Sequence, residues 1–474
     1  MFKTSAKKQN FTEGPLFFKI LLFALPLMIT AVLQTLYGMA DGVIVGRFSG
    51  DNLALAAIGS TSSLTVLIIN LLINASSGTG VVMAQAFGAK NTELMSRVAH
   101  TSVAFAGISG TIFMIIGIIV SRPALIAMST QAELLERSVL YVRIICLGIP
   151  AIALYNFCAA MLRSVGDSRT PLIILSTSGL TNVLLNVVFV LLFKMTVDGV
   201  ALATIISQYM SAAWVLYILI SRKNEYYAIK LKDVRIHKET LLKILRYGVP
   251  SALQGAMFSF ANVLITSATN VFTSIEMSAK TIVSNIDGII YSSLNSYMHT
   301  AMTVSAQNYG AGEPRRIRRA VLYCLIQVSV IGILLGGTIT LLSNPIVSLF
   351  INPTDPNKAI ILEYSTSLLA LLATTYVLCG IQETFSGSLR GLGYSFSTMI
   401  ISIIVICGGR TLWISAFYNI PAMQTLNGLY AVYPVTWITI SLVFGIFTAI
   451  ILSKISKKLT KQKTDITQKT EANV

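Results

Sequence analysis

Charge is what this 474-residue sequence lacks: only 11% of it is Asp, Glu, Lys or Arg, and its mean hydropathy is +0.74. A soluble domain carries roughly 25% charged residues, so a soluble globular fold is excluded and an all-α polytopic membrane protein is expected. Cysteine is also scarce. Cys146, Cys158, Cys324, Cys379 and Cys407 all fall in apolar stretches, with no CxxC pair and no histidine nearby. That pattern signals neither a metal site nor a disulfide framework and leaves them as small core residues. There is no phosphate loop, no HExxH and no Ser/His/Asp arrangement, so no enzyme chemistry is indicated. A secretory leader is not expected either, because the first apolar run is too long and no small-residue cleavage site follows it.

What is present is a series of twelve apolar segments of spanning length. The first six cover 16–40, 53–77, 98–120, 139–161, 171–193 and 197–220. The second six cover 244–268, 278–303, 320–342, 361–388, 397–417 and 429–452. The expected organisation is a polar tail over 1–15, an N-lobe over 16–220, a basic linker over 221–243, a C-lobe over 244–452 and a tail over 453–474. The formal net charge of +16 would suit a nucleic-acid binder, but its distribution argues against one. With the N-terminus inside, all Lys and Arg but Arg47, Arg122, Arg137, Arg143, Lys194, Lys280, Lys358 and Arg410 lie in the inside loops and tails or, as Lys19 and Arg246, at the inside ends of spans. The positive-inside bias therefore predicts that both termini are cytoplasmic, and the charge runs are topology signals.

The two halves repeat. Ala84-Gln-Ala-Phe-Gly-Ala89 recurs as Ala306-Gln-Asn-Tyr-Gly-Ala311, and Ser121-Arg-Pro123 as Ser343-Asn-Pro345, both at an offset of 222 residues. Leu162-Arg163 with Gly166 recurs as Leu389-Arg390 with Gly393, at an offset of 227. Six spans per copy is an even number, so both copies run in the same sense. That predicts two six-helix lobes related by a pseudo-two-fold along the membrane normal, with a cavity between them, as in alternating-access transporters.

Just past the first span, in the same charge-free run, sits Asp41, the only acid between Lys19 and Arg47. A carboxylate inside a bilayer costs about 2.5–3.5 kcal/mol at a helix centre, so it faces a cavity or a partner. Two readings stand: a helix-end acid reaching the interface, paired with Arg47, or an ion- or proton-coupling group. In the fifth span Asn182 and Asn186 are four apart and share one helix face, and Thr204 lies in the sixth. With Tyr37 they offer oxygens that suit a proton or a cation such as Na⁺, although asparagines in membrane helices also serve as interhelical glue. Gly38, Gly42 and Gly46 have the small-xxx-small spacing of close helix packing. The second half holds Asp287, His299, Glu383 and Arg410 within spans. Asp287 and Arg410 lie at similar depth, so a structural ion pair is expected, with a substrate- or proton-binding role for the acid as the functional alternative.

The Asp41 helix, the two Ala-Gln-x-x-Gly-Ala loops and the two Leu-Arg-x-x-Gly turns together resemble the multidrug and toxic compound extrusion (MATE) family, over about residues 15–452. The resemblance implies a V-shaped pair of six-helix lobes in the plasma membrane that exports amphipathic organic cations in exchange for H⁺ or Na⁺, with no cofactor, as a monomer. The implied ion-coupling residues are Tyr37, Asp41, Asn182, Asn186 and Thr204, and the implied cavity residues Gln34, Asp287, His299, Glu383 and Arg410. Where many relatives carry an Asp in the fifth helix, this chain has Asn186. A site with one formal charge holds Na⁺ less well than one with two, whereas protonation needs only Asp41, which favours H⁺. Two rivals differ in class: an exporter of lipid-linked sugar or polysaccharide, which calls for several cationic cavity groups, and a membrane-embedded enzyme or receptor, which calls for a catalytic cluster or a large extramembrane domain.

Overall fold

The computed structural model describes residues 8–48, 53–352 and 354–471; residues 1–7 and 472–474 of the two predicted tails, and the Arg47 side chain offered above as a partner for Asp41, lie outside them. Every regular element among the described residues is helical. Twelve long helical runs make up most of the described residues. In the first half they are α1 (Leu16–Phe48), α2 (Ala54–Gly88), α3 (Thr92–Ala127), α4 (Ala132–Leu147 and Ile149–Ser164), α5 (Arg169–Leu192) and α6 (Val197–Ser221). The second half supplies α7 (Lys238–Ala268), α8 (Ser274–Gly310), α9 (Pro314–Leu341), α10 (Lys358–Gly391), α11 (Ser395–Asn419) and α12 (Leu426–Leu459).

Ten of these are individually long and apolar enough to cross a membrane, and α4 qualifies once its two pieces, bent by 43°, are taken together. The break falls at Gly148-Ile149-Pro150, where the proline sits in the first turn of the second piece and cannot donate a backbone hydrogen bond to the turn before it. The remaining helix, α8, is 37 residues long but more polar than its predicted span suggests. Ser293, Ser296, Thr300, Thr303 and Ser305 are all buried, because α8 is packed against α9 and α10 and spends its polar face on protein. A buried hydroxyl on a helix can satisfy itself on a carbonyl one turn back, as Ser296 does on Ser292 and Thr300 on Ser296, so such a face costs little.

The chain forms two compact units. One comprises Met1–Gln9, Ile29–Phe87 and Asn91–Ala256; the other comprises Asn10–Met28, Gly88–Lys90 and Met257–Val474. Two of the boundaries fall inside α1 and α7, close to the internal prolines Pro26 and Pro250; the others set off the segment before α1 and Gly88–Lys90 at the junction of α2 and α3. The second unit therefore takes in the start of α1 and the segment before it. Phe11 is fully buried there, edge-on to Phe23 at 5.3 Å. Its N–H donates to Gln307 Oε1 (3.1 Å), and Arg316 Nη2 donates to the Phe11 and Gly14 carbonyls (2.8 and 3.0 Å). The glutamine of the second Ala-Gln motif thus has a structural task.

Small residues bring helices together, but not where the sequence pattern points. On α10, a Cβ at Gly387 or Gly391 would fall 2.1 or 2.4 Å from the Met298 or Met302 carbonyl of α8, so only glycine permits that approach. Gly38 and Gly42 of α1 have nothing within 4 Å, which corrects the expectation of close packing for that stripe. Spacing alone sets a small-residue face; a partner helix has to arrive.

The repeat is visible in backbone detail within each unit. Gly166 and Gly393, which close the two Leu-Arg-x-x-Gly turns, both adopt left-handed conformations (φ +85° and +95°). At Gly166 a side chain is excluded twice, since a Cβ would also meet the Gln9 carbonyl oxygen at 2.1 Å. The helices that follow these turns, α5 and α11, each contain a π-helical turn, at Val188–Leu192 and at Ile403–Gly408. Each lies within two residues of a buried polar side chain, Asn186 in one unit and Arg410 in the other. Such bulges are common at functional sites because they re-aim one helix face.

Candidate functional site

In the first unit a line of polar side chains runs across α6, α5 and α1. Thr204 Oγ1 donates to the Val200 carbonyl (2.9 Å) and accepts from Asn182 Nδ2 (3.4 Å). Asn186 Nδ2 reaches both Asn182 Oδ1 (3.5 Å) and Asp41 Oδ1 (2.6 Å). The short last contact is what a charge-assisted hydrogen bond to a carboxylate looks like. The helical spacing of Asn182 and Asn186 puts both on the buried face of α5, where they are 6% and 0% exposed. Asn186 Oδ1 is buried and accepts no hydrogen bond, so the site keeps an unused oxygen next to its single acid.

The surroundings are apolar. Ile44, Val45, Val190, Val197 and Val200 form a small core that Tyr141 of α4 packs against. Tyr141 also lies within electrostatic reach of Asp41. Nothing in the sequence marks it, since a tyrosine inside an apolar span leaves no charge pattern. Of the predicted coupling residues, the structure brings Asp41, Asn182, Asn186 and Thr204 together. Tyr37 stands one turn earlier on α1; its hydroxyl donates to the Ser176 carbonyl (3.2 Å) and its ring abuts Gly179, where a Cβ would come within 1.9 Å of it. Gln34 is exposed on the same helix.

The second unit contains a cavity of about 200 Å³. Asp287 and Arg410 both line it, together with Lys280, Asn262 and an aromatic group that includes Phe258 and Tyr433. The expected Asp287–Arg410 ion pair is not there: among the described residues none joins the two. Arg410, fully buried, is held instead by Asn262, which accepts from its Nη1, and by two rings, Phe258 at 4.9 Å and Tyr433 at 4.6 Å from the guanidinium carbon. Cation–π contacts of this kind supply about 0.5–2 kcal/mol each and allow a buried cation without a carboxylate. Glu383 and His299 do not line the cavity. Glu383 accepts from Gln382 Nε2 (3.3 Å) and lies in the field of Arg390, while His299 is half-buried on α8.

Comparison with known proteins fits this geometry. The profile of the MatE family matches residues 26–188 and 250–409, the two halves separately. The chain is 28% identical over 433 residues to the probable multidrug resistance protein YoeA of Bacillus subtilis (strain 168), covering 90% of this chain and 92% of that protein. It is 26% identical over 403 residues to the probable multidrug resistance protein NorM of Thermotoga maritima, covering 83% of each. Among solved structures, an outward-facing multidrug resistance MATE family transporter of the MOP superfamily matches with a TM-score of 0.88 at 23% identity, over 96% of this chain and 100% of the other. A MOP superfamily transporter from Pyrococcus furiosus matches with a TM-score of 0.88 at 22% identity over the same shares. At those identities the structural likeness is one of fold.

Proposed function

The chain belongs to the MatE family, that of the multidrug and toxic compound extrusion transporters, and on that premise we propose that it is a secondary active antiporter exporting amphipathic organic cations in exchange for H⁺ by alternating access. One observation carries the choice of coupling ion: a lone carboxylate, Asp41, hydrogen-bonded by Asn186 in an apolar setting. Desolvation disfavours a charged carboxylate, so a single acid can exchange one proton per cycle as the site is closed to water and opened again. A second acid at position 186 would favour a hard cation such as Na⁺; the amide there does not. Asn182 and Thr204 hold Asn186 in register for Asp41. The asymmetry of Lys and Arg supports placement in the cell membrane with both termini in the cytoplasm.

The first test is the driving force. In everted vesicles containing the protein, an acid-inside pH gradient should drive ethidium uptake, and an imposed Na⁺ gradient alone should not. Uptake driven by Na⁺ alone would assign the site to that ion. Cells expressing the protein should tolerate ethidium-like dyes better than controls; unchanged tolerance with the protein present in the membrane would remove cationic cargo. Arg410 and Lys280 in the second-unit cavity favour the rival, an exporter of lipid-linked sugar or polysaccharide; Asp287 in the same cavity stands against it.

A further inference from the structure

The second-unit cavity has a chemistry that cation export does not use. Arg410 is fully buried, with its guanidinium carbon 4.9 Å from the centroid of the Phe258 ring and 4.6 Å from that of Tyr433. Nη1 donates to Asn262. Nε and Nη2 remain, buried and without a hydrogen-bond partner. These two N–H groups lie on one edge of the planar guanidinium and form the fork that matches the two oxygens of a carboxylate. Leaving such donors unsatisfied in a buried site is costly, and the π-helical turn at Ile403–Gly408, ending two residues before Arg410, is the kind of local distortion that re-aims a side chain.

The same cavity supplies the opposite charge. Asp287 lines it and, among the described residues, makes no hydrogen bond or ion pair. The lining is largely aromatic, with its rings in mutual contact: Phe258 stacks on Tyr291 (6.4 Å between centroids), Tyr430 on Tyr433 (5.6 Å), and Trp437 meets Tyr433 and Tyr376 (5.7 and 5.2 Å). A cavity of about 200 Å³ holds one or two fused rings. We propose that this cavity binds a small aromatic zwitterion, its carboxylate on the Nε–Nη2 edge of Arg410, its ring among the tyrosines and its ammonium toward Asp287. Lys280, whose Nζ donates to Thr269 Oγ1 (3.2 Å), adds positive potential to the same cavity. The site lies wholly within the second unit and does not depend on what Asp41 couples to.

The test uses three probes that share an indole: tryptophan, a zwitterion; tryptophan methyl ester, a cation; and indole-3-propionate, an anion. Each is measured by equilibrium dialysis against the full-length protein in nanodiscs, with no gradient, so the outcome is independent of proton coupling. Tryptophan should bind about tenfold more tightly than either of the others, the worth of one charge-assisted pair. Arg410→Lys keeps the charge but loses the fork, and should bring tryptophan down to the affinity of its ester while leaving the ester unchanged. Asp287→Asn should bring tryptophan down to the affinity of indole-3-propionate. Elution of each variant as a single species establishes that it is folded. Equal affinity for all three probes, tightest binding of the ester, or an Arg410→Lys protein that still prefers tryptophan would overturn the proposal.

Discussion

At the scale of single residues, one carboxylate and one amide define the first-unit site. Asn186→Asp adds a second acid beside Asp41 and should keep transport while making it respond to a Na⁺ gradient; vesicle uptake with and without Na⁺ reads this directly. Gly387→Val places methyl groups where α8 approaches within van der Waals contact. Overpacking of that kind costs about 1–3 kcal/mol, seen as a lower thermal midpoint in detergent, whereas Gly42→Val, with nothing within 4 Å, should leave the midpoint unchanged. Asp41 was legible in the sequence because it is an isolated acid in an apolar run, and Asn182 with Asn186 because their spacing puts them on one face. Tyr141, Asn262 and the rings around Arg410 were not. Aromatic and amide side chains inside a membrane span look the same in sequence whether they face lipid, a neighbouring helix or a cavity.

At the scale of elements, the helices follow from hydrophobic length and their breaks from proline and glycine. Pattern could not reveal the π-helical turns, which insert a residue without any sequence signal of their own. It also could not reveal that α8, the most polar of the long helices, is lined by protein. The pairing of Asp287 with Arg410 was argued from depth alone, and depth is shared by every side chain at that level; rings and an amide reached Arg410 first. Because the two charges do not form an ion pair, their losses should add. Arg410→Ala and Asp287→Ala combined should lower folded yield by the sum of the single effects, and a double variant that recovers yield would restore the pair. The segment before α1 gives another element-level test. Gln307→Ala leaves the Phe11 N–H without its acceptor, costing about 1–3 kcal/mol and lowering the thermal midpoint, while the exposed Gln34→Ala should have no such effect.

At the scale of the whole molecule, the duplication was the most legible feature. The two Leu-Arg-x-x-Gly turns, 227 residues apart, carry matched left-handed glycines, and the helix after each contains a π-helical turn. Side chains near the two distorted turns differ between the copies: an uncharged amide bonded to an acid lies before the turn in one unit, and a cation beside aromatic rings lies after it in the other. Such divergence suits a transporter whose ion and cargo are handled by different halves. The central claim is that the Asp41 carboxylate couples export to proton movement. The most direct measurement compares wild type and Asp41→Asn in everted vesicles with an acid-inside pH gradient, following ethidium uptake, with ethidium binding to the same purified proteins measured alongside. Asp41→Asn should bind ethidium as wild type does and fail to accumulate it; accumulation at the wild-type rate would contradict the account and move the coupling group to another acid, Glu383 or Asp287.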